Sequence, residues 1–227
     1  MQINTITAKQ LEQLERACQE LSIEPTKQQR QQLIDYLIQL LKWNQIYNLT
    51  AIRDPEQALI QHIFDSLSVI RPLREYFALN QMTQAKLLDV GSGAGLPGFV
   101  IATMFPFVDV TCIDTVQKKM TFVRQISGML QLQNLHALHK RVETLQDEKY
   151  DVVTSRAFAS LQDFTHLAGN CVAENGVLLA MKGKEPQEEI EALEKKGKWR
   201  VDLVQKLAVP QLNAQRCLVW MKNKGTE

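Results

Sequence analysis

Apolar residues recur at helical spacing through the first third of the chain. Three stretches have an apolar position at nearly every third or fourth residue, which is typical of amphipathic helices that bury one side. This pattern predicts a helical N-terminal cap over residues 1–80, with a connector at residues 75–85. The apolar positions are Leu11, Leu14, Cys18 and Leu21, then Leu33, Leu37, Leu40 and Leu41, then Ile60, Ile63, Phe64 and Leu67.

Polar and proline residues indicate where two of these helices begin. Pro25 and Thr26 precede the second stretch, and Asp54 followed by Pro55 precedes the third. Aspartate is a preferred N-cap, and proline is tolerated in the first helical turn because its missing N–H has no partner there. The second helix is expected to stop near Asn44, since the sequence that follows, NQIYNLT, is poor in helix formers.

From Lys86 onward, short apolar runs alternate with helical stretches. Such alternation, with nearly continuous apolar strands, indicates a parallel sheet covered by helices on both faces. The last two runs predict an antiparallel pair at one edge. The fold class is therefore α/β, with a Rossmann-like, mostly parallel, seven-stranded sheet over residues 81–227. The seven runs are residues 86–90, 108–114, 135–139, 150–155, 176–182, 199–209 and 215–222.

The segment LLDVGSGAGLPG, residues 87–98, carries four of the ten glycines in the chain. It lies between the first strand and a helix, where α/β sheets bind ligands. From Gly93 the sequence GAGLPG matches the dinucleotide pattern G-x-G-x-x-G, but this match begins three residues beyond the strand. Asp89 and the alternate glycines from Gly91 match D-x-G-x-G-x-G, which resembles the S-adenosylmethionine loop of methyltransferases. The strand boundary and Asp89 favour S-adenosylmethionine.

Charged residues follow several of the predicted strands. Asp114 ends the second strand, where a carboxylate can accept the ribose hydroxyls of an adenosine. Since the carboxyl ends of parallel strands share one edge, cations that follow the strands are expected to form a basic rim suited to nucleic acid. Lysines are also common on exposed loops, which is the simpler explanation for some of them. The basic rim consists of Lys118, Lys119, Lys140, Arg141, Arg156, Lys182 and Lys184.

The absence of two motifs narrows the range of methylation reactions that the chain is expected to catalyse. SRAF, residues 155–158, follows the fourth strand, where methyltransferases of exocyclic base amines usually carry an [N/D]-P-P-[Y/F] motif. Neither Cys112 nor Cys171 is well placed as the nucleophile that methylation of a pyrimidine carbon requires. A purine ring nitrogen such as guanine N7 needs no activation, because its lone pair is free at neutral pH. Transfer then depends on proximity and orientation, and no catalytic residue is assigned.

Two pairs of residues in the N-terminal part have competing interpretations. His62 and Asp65 lie off the apolar stripe, so a polar pair on the helix surface is the simplest interpretation. Trp43 and Tyr47 either pack in the core or offer a stacking platform, and core packing is favoured.

Composition excludes several classes of protein. The formal net charge is +1, and no apolar run approaches the roughly 20 residues that span a bilayer. The N-terminus has no apolar stretch of the kind found in secretory signals. We therefore expect a cytoplasmic protein with buried thiols, no membrane association and no metal. The four cysteines are scattered, without a C-x-x-C pair: Cys18, Cys112, Cys171 and Cys217.

Several segments together resemble the bacterial ribosomal RNA small subunit methyltransferase G family, also called glucose-inhibited division protein B. They occur in family order from about residue 30 to the C-terminal hairpin, and GLPG and SRAFAS are more specific than a glycine loop alone. Ser92 and Ala94 depart from the commoner G-T-G-P-G, but both are small. The segments are KWN (42–44), YNLT (47–50), RDP (53–55), HIFDS (62–66), LLDVGSGAGLPG (87–98), RVE (141–143), SRAFA (155–159) and KG (182–183).

The resemblance implies a class I S-adenosylmethionine-dependent methyltransferase that acts on N7 of a guanosine in 16S ribosomal RNA. Small-subunit ribosomal RNA or the 30S particle is the implied partner, and we expect a monomer. Asn44, Asn48, His62 and Asp65 become candidates for the substrate side. The cofactor contacts that it implies are Gly91, Leu96, Val142, Glu143 and Arg156.

Within that site, Gly91, Gly93 and Leu96 are expected to hold the methionine portion of the cofactor and Asp114 its ribose. Val142 and Glu143 are placed near the adenine, and Arg156 at the junction of cofactor and substrate. Two alternatives stay open. One is a dinucleotide-dependent oxidoreductase, and the other is a non-catalytic RNA-binding or cofactor-sensing module.

Overall fold

The computed structural model describes residues 8–145 and 147–225. The expected lack of a signal segment partly concerns residues 1–7, which lie outside the described residues. Between α3 and α4, Leu59–Phe64 form a π-helical turn. The α-helices are α1 (Ala8–Glu20), α2 (Lys27–Tyr47), α3 (Pro55–Ala58), α4 (Asp65–Leu67), α5 (Ile70–Leu79), α6 (Gly98–Met104), α7 (Gln117–Met129), α8 (Leu161–Ala168) and α9 (Gln187–Lys196).

Seven strands form one sheet in the order β3-β2-β1-β4-β5-β7-β6. Strands β1 to β5 pair in parallel, and β7 is antiparallel to both β5 and β6. This confirms the predicted mostly parallel sheet with an antiparallel pair at one edge. The strands are β1 (Ala85–Val90), β2 (Val108–Asp114), β3 (Leu135–His139), β4 (Tyr150–Ser155), β5 (Val172–Lys182), β6 (Trp199–Leu207) and β7 (Arg216–Asn223).

Helix α2 begins as predicted and ends later than predicted. The Thr26 hydroxyl accepts the N–H of Gln29 at 3.2 Å, while the Gln29 side chain accepts the N–H of Thr26 at 2.8 Å, a reciprocal cap. The expected end near Asn44 is wrong, because the helix continues to Tyr47 and ends where Asn48 takes a left-handed conformation. Tertiary packing has overridden the weak helix propensity of this stretch.

The connector before the sheet is shorter than predicted. Helix α5 continues to Leu79, so only residues 80–84 remain between it and β1. The reason is Phe77, whose ring lies 5.3 Å from Phe105 and 5.6 Å from Phe107 and keeps the last turn of the helix against the segment between α6 and β2.

Each face of the sheet buries its own apolar cluster. One cluster joins the N-terminal helices to α6 and α7, while the other lies beneath α8 and α9. Tyr36 of α2 stacks on Phe99 at 4.1 Å and donates its hydroxyl proton to the carbonyl of Ala94 at 2.9 Å. The first cluster thus includes residues from both predicted parts of the chain, and the boundary near residue 80 stays a prediction.

Within the described part of the chain, no helix has the length and apolarity needed to cross a membrane. All four cysteines are buried free thiols, as predicted. Among residues 8–145 and 147–225, no three histidine, cysteine or acidic side chains gather in a way that could hold a metal ion.

Candidate active site

The loop between β1 and α6 packs tightly on the rest of the protein at three of its four glycines. A Cβ atom at each of the three would come within 2.5–2.8 Å of another side chain. A side chain on Gly91 would therefore meet Ala157 before it could reach into the cavity. The close pairs are Gly91 with Ala157, Gly95 with Val123, and Gly98 with Cys112.

Gly93 is the glycine at which this loop is open. Its φ is +61°, and no atom of the described residues lies within 4 Å of a Cβ built there. The N–H of Gly93 donates to Oδ2 of Asp114 at 3.0 Å, and Oδ1 of Asp114 accepts the N–H of Val116 at 2.8 Å. A carboxylate has about four acceptor positions, so Asp114 can accept further hydrogen bonds. Open backbone beside a fixed acceptor fits the binding of an adenosine.

Asp89 lies beneath the loop, shielded from solvent. Its side chain is fully buried, and Oδ2 accepts the N–H of Gly98 at 2.8 Å. Burial raises the pKa of Asp89 to about 7, although the Gly98 hydrogen bond and the charge of Arg156 oppose the shift. Oδ1 has no hydrogen-bond partner among the described residues. Asp89 thus braces the start of α6, a role that the D-x-G pattern alone does not distinguish from ligand binding.

Residues 55–67, here called the inner helical segment, form the wall opposite the loop. Asp54 caps the segment as predicted, since its side chain accepts the N–H of Gln57 at 2.8 Å. The segment contains α3, the π-helical turn Leu59–Phe64 and α4. Short π-helical turns are rare in proteins, and many of those that occur lie at functional sites.

From residue 58 onward the inner helical segment is buried on almost every side. Between residues 58 and 70 only Gln61 and His62 are partly exposed, and Asp65 is only 5% exposed. The interpretation of His62 and Asp65 as a pair on the protein surface is therefore wrong. Their side of the helix faces a cavity, so a polar residue there is shielded from bulk solvent.

Two guanidinium groups bind the carboxylate of Asp65. Nη1 of Arg156 donates to Oδ2 at 2.9 Å, and Nε of Arg216 donates to Oδ1 at 2.8 Å. Arg156 follows β4 and Arg216 begins β7, so one buried carboxylate ties three distant parts of the chain together. Two cations and one anion leave a net charge of 2 − 1 = +1 at this wall.

His62 lies beside this ion-pair cluster as a neutral group. Its Nε2 is 3.0 Å from Oγ1 of Thr50. The N–H of Thr50 donates to the side-chain oxygen of Asn44 at 2.9 Å, and the amide of Asn44 donates to the carbonyl of Ile52 at 3.0 Å. Burial lowers the pKa of His62 to about 4, and the charge of Arg156 contributes. The imidazole is therefore uncharged at neutral pH.

A cavity of about 490 Å³ lies between the glycine loop and the inner helical segment, at the carboxyl ends of β1, β4 and β5. This volume is within the range of small-molecule sites. The structure brings four predicted cofactor residues and two substrate-side candidates to its walls. They are Gly91, Gly93, Leu96 and Arg156, together with His62 and Asp65.

The other three predicted cofactor residues do not line this cavity. Asp114 reaches it indirectly, through its hydrogen bond from Gly93. Val142 and Glu143 lie in a 3-10 turn after β3. Val142 is buried in the apolar cluster of the opposite sheet face, and exposed Glu143 borders a separate cavity of about 430 Å³.

The basic rim is partly neutralised. Lys182 turns inward, where its ammonium group donates to the carbonyl of Ala159 at 3.0 Å, and so it braces the SRAFA loop. Four rim cations have no ion pair among the described residues: Lys118, Lys140, Arg141 and Lys184. The paired ones are Lys119 with Asp114 at 3.7 Å, Arg156 with Asp65 at 2.9 Å, and Lys182 with Glu189 at 2.8 Å.

Sequence reasoning missed Arg216. Strand β7 runs antiparallel to β5, and Cys217 pairs with Lys182 in the ladder. The first residue of an antiparallel strand lies at the same edge as the carboxyl ends of the parallel strands. The predicted antiparallel pair at the sheet edge therefore contained the signal, a cation at the beginning of the last strand.

Comparisons with known proteins identify the family. The family model described as GidB, rRNA small subunit methyltransferase G, matches residues 29–219. A protein of that name from Bordetella avium strain 197N is 53% identical over 216 residues, which cover 95% of each chain. Another from Methylibium petroleiphilum is 48% identical over 226 residues, 99% of this chain and 100% of the relative.

Solved structures resemble the fold at low sequence identity. A SAM dependent methyltransferase from Aquifex aeolicus aligns with a TM-score of 0.55 and 19% identity over 77% of this chain and 96% of the other. TrmN from Thermus thermophilus aligns with a TM-score of 0.51 and 15% identity over 70% of this chain and 52% of the other. These likenesses show a Rossmann-like methyltransferase fold. The family model and the nearly full-length relatives show that this chain belongs to the rRNA small subunit methyltransferase G family.

Proposed function

We propose that the protein transfers a methyl group from S-adenosylmethionine to N7 of a guanosine in 16S ribosomal RNA. One observation carries the proposal, namely that the glycine loop of a methyltransferase fold and the Asp65–Arg156–Arg216 cluster line the same cavity. Family membership supports ribosomal RNA as the substrate. The alternative of a dinucleotide-dependent oxidoreductase gains no support from this family.

S-adenosylmethionine, when bound, supplies a methyl group on a positively charged sulfur. Gly91, Gly93 and Leu96 hold its methionine portion, and Asp114 accepts hydrogen bonds from its ribose. The open backbone at Gly93 and its hydrogen bond to Asp114 support these two assignments. In the remaining assignment, Val142 and Glu143 lie near the adenine of the cofactor. This assignment follows from the family resemblance alone.

The substrate side consists of His62, Arg156 and Arg216. Guanidinium donors match guanine O6 or a phosphate, and the neutral imidazole of His62 can exchange a hydrogen bond with a base edge. Guanine N7 carries a free lone pair at neutral pH, so no protein group has to remove a proton. The contribution of the chain is then to align the base and to exclude water, which is consistent with the lack of a suitable base at His62.

The partner is proposed to be small-subunit ribosomal RNA, free or in the 30S particle. The unpaired cations of the basic rim suit RNA phosphates. A cytoplasmic location is proposed because four buried free thiols suit a reducing compartment. We also propose a monomer.

Transfer of a radiolabelled methyl group tests the function. Small subunits from cells that lack this protein are expected to accept label in 16S RNA, and borohydride followed by aniline should cleave the RNA at the labelled guanosine, as N7-methylguanosine allows. Subunits from the parent cells serve as the control and should accept no label. Binding of cofactor and RNA without transfer would contradict the proposal and favour the non-catalytic RNA-binding module.

A further inference from the structure

Two large apolar side chains are exposed at the end of α2. Ile46 is 73% exposed and Tyr47 is 43% exposed. The favoured interpretation of core packing is confirmed for Trp43, which packs against the apolar cluster. It is wrong for Tyr47. An exposed aromatic ring beside a binding cavity is a candidate for ligand contact, because it offers apolar area and a polar tip together.

Helix α2 leads from the cavity to this exposed ring. Leu40 lines the cavity, and Trp43 and Tyr47 follow it by three and seven residues on the same side of the helix. The chain then returns to the cavity wall at Leu49 and Thr50. In the chain, Tyr47 thus lies between two stretches that line the cavity, two residues before Leu49.

The ring of Tyr47 is held in place from behind. Its centroid is 4.9 Å from the ring of Trp43, which in turn meets Phe122 of α7 edge to face at 5.4 Å. Asn48 caps the helix directly after Tyr47, and its side chain accepts a hydrogen bond from Arg53 at 2.8 Å. A ring fixed in this way loses little conformational entropy when a ligand binds to its free face.

Three exposed cations lie on the elements that hold the ring. Lys42 and Arg53 are exposed on the same helix end and the loop that follows it, and exposed Lys118 lies one helical turn before Phe122. Within the described residues, none of the three pairs with a carboxylate. Proteins bind unpaired nucleotides with exposed aromatic rings and nearby cations, with the base on the ring and the phosphate on the cations. Of the three cations, Arg53 is held next to Tyr47 by its hydrogen bond to Asn48.

We propose that Tyr47, backed by Trp43, is a stacking platform for an unpaired base next to the target guanosine in the RNA. This inference rests on the proposed function. A base that enters a cavity leaves its own stack, and a ring that covers the face of the neighbouring base offsets part of that cost. Tyr47 is therefore a positioning residue that acts on RNA affinity.

Steady-state methyl transfer to unmethylated small subunits tests the platform. Tyr47→Ala is expected to raise KM for the subunits about tenfold, which lies within the range for loss of one base–aromatic stack. Its kcat and its affinity for S-adenosylmethionine should stay within about twofold of the wild type. Tyr47→Phe should retain the wild-type KM. Tyr47→Leu should resemble the alanine variant, because leucine has apolar volume but no aromatic face.

Leu79→Ser is the matched control, since Leu79 is another exposed apolar residue, at the end of α5 and 83% exposed. Its KM should not change, and a rise equal to that of Tyr47→Ala would overturn the platform. A wild-type KM in Tyr47→Ala or Tyr47→Leu would also overturn it, the latter by showing a merely apolar contact. A wild-type protein that methylates no subunits would instead refute the proposed function, so the two failures are distinguishable.

Discussion

The glycine loop and the inner helical segment face one cavity from opposite sides, but the sequence reveals them unequally. The loop is marked by the spacing of four glycines after a strand, and its position follows from consecutive residues. The inner helical segment resembles an ordinary amphipathic helix. Its role depends on the pairing of Asp65 with Arg156 and Arg216, which lie 91 and 151 residues further along the chain. Local patterns report backbone constraints, whereas ion pairs between distant residues leave no such pattern.

The comparison also limits what the glycine pattern means. Three of the four glycines are required by neighbouring side chains, and only Gly93 has open space in front of it. A glycine motif marks positions where a side chain is not tolerated. It does not show whether neighbouring protein atoms or a ligand occupy the space that a side chain would need. The loop and the segment are thus both partly structural, and specific residues of each face the cavity.

The largest effect is expected at Asp65, which joins the two regions. Asp65→Asn leaves the guanidinium groups of Arg156 and Arg216 without a counter-charge in a largely buried site. Urea denaturation should show a loss of about 3 kcal/mol in the free energy of unfolding. Methyl transfer should fall by more than about a hundredfold, because Arg156 loses its fixed position between the cofactor and the substrate.

Glu75→Gln is the control for that variant. It breaks an ion pair with Arg71 in which the two side chains are 62% and 51% exposed, so the change in stability should stay below about 1 kcal/mol. Similar losses in the two variants would show that Asp65 does not hold the regions together.

Alanine variants of Gly91 and Gly93 separate packing from ligand access. Gly91→Ala places a methyl group 2.7 Å from Cβ of Ala157 at a φ of +66°, so stability should fall by about 2 kcal/mol. Gly93→Ala meets no atom of the described residues and should cost about 1 kcal/mol, the penalty for its φ of +61°. Its methyl group lies in the open space near Asp114, so cofactor affinity should fall at least about tenfold.

Thermal unfolding and titration with S-adenosylmethionine measure these two effects separately. If Gly93→Ala binds the cofactor as tightly as the wild type does, the loop meets its ligand elsewhere.

The last effect concerns His62 and appears only in the dependence of stability on pH. Burial lowers the pKa of this residue to about 4 in the native state, from its ordinary value of 6.5. As the pH falls below 6.5, the unfolded chain binds a proton that the native state does not bind. The native state therefore loses stability between pH 6.5 and 4, and His62→Gln lacks this loss. Between pH 7.5 and 5 the variant should lose less free energy of unfolding than the wild type, by up to about 2 kcal/mol. If the free energy of unfolding changed equally with pH in the wild type and in His62→Gln, His62 would not be buried as a neutral imidazole.

The fold is more predictable than the ends of its helices or the state of its charges. Strands such as β1 and β2 are short segments rich in apolar and β-branched residues, so local composition suffices to place them. The ends of α2 and α5 depend on contacts of Trp43 and Phe77 with residues far away in sequence. The charge of Lys182 is visible in the sequence, but its neutralisation by Glu189 depends on the packing of α9.

The central claim is that the glycine loop binds the cofactor while the inner helical segment positions the substrate. Measurement of both the S-adenosylmethionine Kd and the single-turnover rate of methyl transfer for His62→Gln tests this division most directly. We predict a Kd within about twofold of the wild type and a rate at least about tenfold lower, because His62 contacts Thr50 and lies across the cavity from the loop. A Kd weakened as much as the rate would contradict the claim, since His62 would then belong to the cofactor site.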